Sequence, residues 1–335
     1  MVAKILKFYF HIAFLTALFT RVGAQPLPAA ITDVSSLEGD LCSSVTGVCH
    51  PVSKFNVNYI FDKQIYNNRC DTMPQVIFWR RIMKLHQDSS LISVGDNRQV
   101  VDKIYQKDWG QKTDEGRKAY RDSVRLVLKL DSEAHVLVVP GKSFFYDFEK
   151  AFQNFDRGIN DFVENGVDPW YAQAILLIES PNKLQKSNAG AYGPFQLMRD
   201  VARMFGLKVN KQMDERADFD RSAYAASSLI KTLCIPYTKQ MLDSLKIPYK
   251  ENDLWFRLLV MHSYHAGAGN VRKALFSFMP TKPGMDIIYT LWHTRTTHFK
   301  SASQNYSQLV LAAMLEMDRR MNLVSYADSK PILPK

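Results

Sequence analysis

One stretch constrains the fold more than any other: Asp168-Pro169, then Trp170 to Ile178, then Glu179. An Asp side chain satisfies free N–H groups at a helix start, and Pro at the first helical position has a suitable backbone angle and no N–H to leave unpaired. Ala174, Ile175, Leu176, Leu177 and Ile178 leave no polar stripe, so the helix they form is buried on every side. The chain must therefore wrap this helix in other elements. Phe148, Phe152, Phe155, Ile159 and Phe162, at steps of three and four residues, predict an amphipathic helix ending near Gly166. Ala225, Ala226, Leu229 and Ile230 predict another helix, and Leu258 to Met261 is a further apolar stretch.

The first two dozen residues have a different character. Lys4 and Lys7 precede an apolar run from Phe8 to Phe19, and Val22-Gly23-Ala24 offers small residues for cleavage before Gln25. This is the three-part pattern of a signal peptide, and the run is shorter than the roughly 20 residues of a spanning helix. Export and a soluble mature chain are expected. Of ten net positive charges the leader carries three (Lys4, Lys7, Arg21), leaving +7. A basic surface serves nucleic acid, acidic lipid or an anionic wall polymer equally well, and export argues against nucleic acid. Cys42 and Cys49 bracket a short Ser/Thr/Gly loop and form the favoured bridge, with buried free thiols the alternative for all four cysteines, including Cys70 and Cys234.

The 335 residues, 46% hydrophobic and 23% charged, suffice for a sizeable core and favour two domains. Residues 25 to about 58 read as an irregular lead-in. Helical spacing follows in Val76 to Leu85, in Val100, Val101, Ile104 and Tyr105, and in Tyr120, Val124, Val127 and Leu128, whereas His135 to Pro140 reads as a short strand or extended connector. The expected organisation is a signal peptide at 1–24, a lead-in and small helical N-terminal module at 25–140, a catalytic domain at 141–325 and a flexible tail at 326–335.

A carboxyl group closing a buried apolar helix is hard to ionise, because low polarity and the negative helix end both disfavour the anion. Glu179 is thus expected to hold its proton near neutrality, as general-acid cleavage of a glycosidic bond requires. Taken alone, a Glu at a helix end more often faces solvent. Two further blocks give it company. Ser187-x-x-Gly190-Ala191-x-Gly193-x-x-Gln196 combines close-approach glycines with hydrogen-bonding side chains, and Ser263-Tyr264-His265-Ala266-Gly267 joins polar and aromatic groups to a glycine turn.

Glu179-Ser180, the Ser187 to Gln196 block and the Tyr264 block, in this order, resemble the motifs of the lytic transglycosylases of glycoside hydrolase family 23. Asp214-Glu215-Arg216-Ala217-Asp218 is similar to a segment of the membrane-bound type D branch, and Tyr306 stands where that family places its last motif tyrosine. The resemblance covers roughly residues 165–315, and no counterpart of the type D LysM repeats is expected. It implies a mainly α, lysozyme-like catalytic domain that cleaves the β-1,4 bond between N-acetylmuramic acid and N-acetylglucosamine in peptidoglycan, leaving 1,6-anhydromuramyl ends. Glu179 would be the single acid/base. Ser187, Gln196, Tyr264 and His265 would bind the glycan, and Tyr306 would line the site and orient Glu179. Peptidoglycan strands are the expected partner and the periplasm the expected compartment.

The family's usual Ala-Tyr-Asn-Ala-Gly is here Ser263-Tyr264-His265-Ala266-Gly267, and the stretch from Glu179 to Gly190 is about one residue short of the pattern. An imidazole in place of an amide makes sugar binding sensitive to its protonation. No metal or cofactor is expected: His262 and His265 lie three apart, but no third ligand accompanies them. Asp214 and Glu215, next to Arg216, are expected to cap and pair rather than catalyse. The alternatives are a non-catalytic peptidoglycan-binding module and a hydrolytic muramidase, the latter needing a second carboxylate. Residues of the N-terminal module name no protein partner.

Overall fold

The computed structural model describes residues 47–52, 57–95, 98–179, 186–187 and 189–321. The signal peptide, most of the lead-in, the tail and Cys42, hence the expected Cys42–Cys49 bridge, lie outside the described residues. Cys70 and Cys234 are buried free thiols. The fold is mainly helical, and among the described residues no helix is long and apolar enough to cross a membrane.

Strands β1 (Gly47–Val52) and β2 (Val57–Asp62) form an antiparallel hairpin where an irregular lead-in was expected. Helix α1 (Pro74–Lys84) starts at a proline, as its sequence predicts. Then β3 (Ser89–Val94), β4 (Gln99–Tyr105) and β5 (Val136–Pro140) make an antiparallel sheet in the order β4-β3-β5, and α2 (Asp114–Val127) lies between β4 and β5 in sequence. The strand reading of 135–140 holds. The helical reading of Val100, Val101, Ile104 and Tyr105 does not: Ser89 pairs with Tyr105 and Val94 with Gln99, across an irregularity at Ile92/Ser93. Pairing with β3 holds this Val-, Ile- and Tyr-containing stretch extended, a contact that local spacing does not reveal. Ile92, Val94 and Val136 form a small core of their own, against which Tyr120 and Val124 of α2 pack.

The aromatic stripe from Phe148 to Phe162 forms two helices, α3 (Phe148–Phe152) and α4 (Phe155–Glu164), and all five of its apolar residues are buried. Helix α5 (Trp170–Ile178) is buried at every position. It packs against α3, α4, β2 and the long α9 (Ser301–Arg320). Helix α6 (Phe219–Leu229), which the Ala225, Ala226 and Leu229 spacing predicts, packs against α4, and α9 also contacts α1, α7 (Leu254–Ala266) and α8 (Met285–His293). One core runs from Tyr59 to Met321, on both sides of residue 140.

Polar contacts anchor the start and the middle of α5. Asp168 Oδ1 accepts from Trp170 N at 3.0 Å, capping the helix as its sequence predicts, while Oδ2 accepts from Arg257 Nε at 2.8 Å. The fully buried Arg257 also reaches Asp62 at the end of β2, 3.3 Å away. Midway along α5, Gln173 accepts from Ile60 N and donates to Ile60 O, both at 2.9 Å. The buried side-chain amide thereby satisfies both backbone polar groups of Ile60.

Candidate active site

Glu179 caps the C-terminus of α5, with its N–H donating to Ile175 O at 2.9 Å. Its partly exposed carboxyl is approached by Tyr306 of α9, which donates its hydroxyl proton to Oε1 at 2.8 Å. Burial raises the Glu179 pKa to about 7, although the Tyr306 hydrogen bond, by stabilising the anion, pulls the other way. The shift has the direction expected for a carboxyl that closes a buried apolar helix. Tyr264 and Tyr146 are the other titratable groups that feel Glu179 among the described residues, and both phenols are themselves pushed up by burial.

Tyr264 and His265 come from the last turn of α7, which Gly267 ends at a φ of 79°. Tyr264 donates to Phe195 O at 2.6 Å, tying the glycine block to α7. The His265 ring lies nearly parallel to that of Tyr306, with centroids 4.1 Å apart and planes at 20°, and its outer face is exposed. Desolvation where the ring packs lowers the imidazole pKa to about 4. His262, one turn earlier, is buried and accordingly pushed down to about 3; its Nε2 pairs with Ser307 Oγ at 2.8 Å. Among the described residues no cluster of His, Cys, Asp or Glu is arranged to hold a metal ion.

Ser187 and Gln196 face their own loop. Ser187 Oγ accepts from Ala191 N at 2.9 Å, closing the turn, and Gln196 Nε2 donates to Gly193 O at 3.0 Å from a backbone with φ 47°. Gly193 has a φ of 89°, and a Cβ there would meet Arg216 O at 1.7 Å. That carbonyl belongs to a buried residue that organises the block: Arg216 donates to Gly190 O at 2.8 Å, to Leu197 O at 2.9 Å and to Asp214 at 2.8 and 2.7 Å. Asp214 and Glu215 have the capping and pairing parts expected of them. The Arg216 guanidinium holds the Asp214 carboxyl below its usual range, and the Lys208 N–H followed by Arg221 does so for Glu215. Both carboxylates are thus engaged, Asp214 by Arg216 and Glu215 by Lys208 N and Arg221. Beside Tyr264 a cavity of about 460 Å³ opens, lined also by Tyr237, Gln240, Gly267 and Arg272, and Glu179 is not in its lining.

Residues that the sequence reading did not single out also build this site. Arg257, Asp62 and Gln173 fix the helix that bears Glu179, and Tyr146 adds a third phenol near it. An Arg inside the apolar run of α7 was the available signal, because a guanidinium there needs a carboxylate partner.

A mainly helical fold thus wraps a buried helix that ends in a carboxyl raised to about 7 and held by a tyrosine hydroxyl. The family described as Transglycosylase SLT domain matches residues 161–281, which include Glu179, Ser187, Gln196, Tyr264 and His265 and stop short of Tyr306. The match supports a lytic-transglycosylase type of domain acting on peptidoglycan. No curated protein matches the chain.

Proposed function

We propose that the chain is an exported lytic transglycosylase of the glycoside hydrolase family 23 type, nearest its membrane-bound D branch, with Glu179 as the single acid/base. The observation that carries this reading is the Glu179 carboxyl itself: raised to about 7, held by Tyr306, with Asp214 and Glu215 committed to other partners. In the first step the Glu179 carboxyl gives its proton to the glycosidic oxygen, and the bond from that oxygen to the muramyl anomeric carbon breaks. The substrate's own acetamido group stabilises the developing cation. The Glu179 carboxylate then takes the proton of the sugar's 6-hydroxyl as that oxygen bonds to the anomeric carbon, which restores the acid and leaves a 1,6-anhydro end without water being consumed.

Tyr306 steers the carboxyl in both steps. Ser187, Gln196, Tyr264 and His265 are assigned to the glycan, the first two through the loop that Arg216 braces and the others through the end of α7. Periplasmic localisation follows from the leader and the type D resemblance.

Mass spectrometry of the products from peptidoglycan sacculi tests the reading. The mature protein is expected to release anhydromuramyl ends and Glu179→Gln none. Reducing ends would make the enzyme a muramidase, and binding without products from either protein would make it a peptidoglycan-binding module.

A further inference from the structure

The resemblance assigns position 265 to sugar binding, yet the His265 ring is already engaged on one face. It lies over Tyr306 at 4.1 Å, and Tyr306 in turn donates to Glu179 Oε1 at 2.8 Å. The register of this stack is locked one residue and one turn away. Ser307 Oγ is bonded by His262 Nε2 at 2.8 Å and by Trp292 Nε1 at 2.7 Å, which clamps α7, α8 and α9 together beside the stacked pair. Tyr306 is itself buried, whereas His265 closes the stack from the exposed side. Without that ring, the phenol would have open space on the face where His265 now lies, and its hydroxyl direction would be less restrained.

We propose that His265 is a positioning residue: its ring, stacked on Tyr306, holds the phenol in the orientation that donates to Glu179. The inference rests on and deepens the reading of Glu179 as the acid, and gives His265 a part beyond the sugar binding that the resemblance assigns it. It also accounts for a ring where the family usually has Asn, because an amide has no comparable flat face to lay on a phenol. The titratable groups facing this chain of contacts among the described residues are Tyr264 and Tyr146 around Glu179, Cys234 near Tyr264 and Tyr306, and His262 beside His265. None of them is a carboxylate or a Lys or Arg side chain, so the Tyr306 hydrogen bond is the main polar influence on the acid.

The test is the titration of the Glu179 carboxyl carbon by NMR in the full mature chain, assigned by its absence from Glu179→Gln. Because it needs no turnover, its outcome stands apart from the sacculus assay that tests the proposed function. Tyr306→Phe removes the donor and is expected to raise the midpoint by about one unit, a tenfold change in proton affinity. His265→Asn is expected to raise it by roughly half as much. His265→Phe, which keeps a flat ring, is expected to leave the midpoint at the wild-type position. In the Tyr306→Phe background, His265→Asn should add nothing, because its effect passes through the phenol. A wild-type midpoint in His265→Asn, or an equal shift with and without Tyr306, would overturn the inference. Should His265→Asn fail to give a cooperative thermal transition, His265→Leu supplies the same comparison.

Discussion

Replacing Gly193 by Ala separates two effects that a glycine-rich block can hide. The first is conformational: an L side chain at a φ of 89° is strained by roughly 1–2 kcal/mol. The second is the close approach of Arg216. Its carbonyl oxygen would stand 1.7 Å from the new Cβ, and ordinary contact needs about twice that. The Arg216 backbone would have to move by more than an ångström, although its side chain is tied to Asp214, Gly190 and Leu197. Disrupting such a buried ionic network costs about 3–5 kcal/mol, which brings the total to ~4–7 kcal/mol, a large part of the ~5–15 kcal/mol that stabilises a typical domain. Gly206 is the control: its φ is 81°, but nothing lies within 4 Å of a Cβ there, so Gly206→Ala should lose only ~1–2 kcal/mol. Urea titrations of both variants give the comparison, and the midpoint of Gly193→Ala should fall far below that of Gly206→Ala. Equal losses would mean that the Arg216 contact yields freely and that the block is merely a flexible turn.

Three further outcomes are expected. Cleavage of sacculi should fall as pH rises through about 7, the Glu179 value, with no acid limb from a second carboxylate; a bell with two carboxyl limbs in a pH series would contradict the one-acid scheme. Glu179→Gln should abolish product release yet stabilise the fold: the folded pKa is raised, so the group's stabilising contribution is complete below about 4.5 and is lost as pH rises through about 7. After a discount for the solvent that reaches the carboxyl, a gain of ~1–2 kcal/mol above neutrality and none in acid should appear in thermal melts at the two pH values. Asp318, which accepts from Tyr59 at 2.6 Å and Tyr66 at 2.8 Å and is raised by burial to about 7, has the same sign; Asp318→Asn should flatten the decline in stability between about pH 4 and 7, read from urea midpoints across that range.

How much of this was legible depended on the range of the contacts involved. The α5 helix, its Asp168 cap and the unusual acid at its end could be read because capping and all-round apolarity are local properties. Arg216 as a partner of Asp214 was legible for the same reason, only two residues separating them. Tyr306 was named by resemblance alone, since nothing in the sequence around it points to a carboxyl 127 positions away. Strand β4 was misread because its Val and Ile spacing fits a helix, and its partner β3, rich in Ser, offered little pattern of its own. The stack of His265 on Tyr306 joins two helices at a register that no period within either one encodes.

The helix that makes Glu179 an acid poses a problem that apolar packing alone does not solve. Burial of a cylinder that is hydrophobic on every side is favourable at many rotations and axial positions, because the effect has no direction. The acid proposed for Glu179 needs one. Three polar contacts remove the freedom: Arg257 with Asp168 at the start, Ile60 with Gln173 midway and Tyr306 with Glu179 at the end. Each would leave a buried polar group unpaired if α5 turned or slid, at ~1–3 kcal/mol apiece. Two of the anchoring positions, Ile60 on β2 and Tyr306 on α9, lie outside the matched residues 161–281, and Arg257 is itself bound to Asp62 at the end of β2. The strand ahead of the matched residues and the long helix behind them therefore help to aim the Glu179 carboxyl, and the segment that carries it does not by itself define its direction.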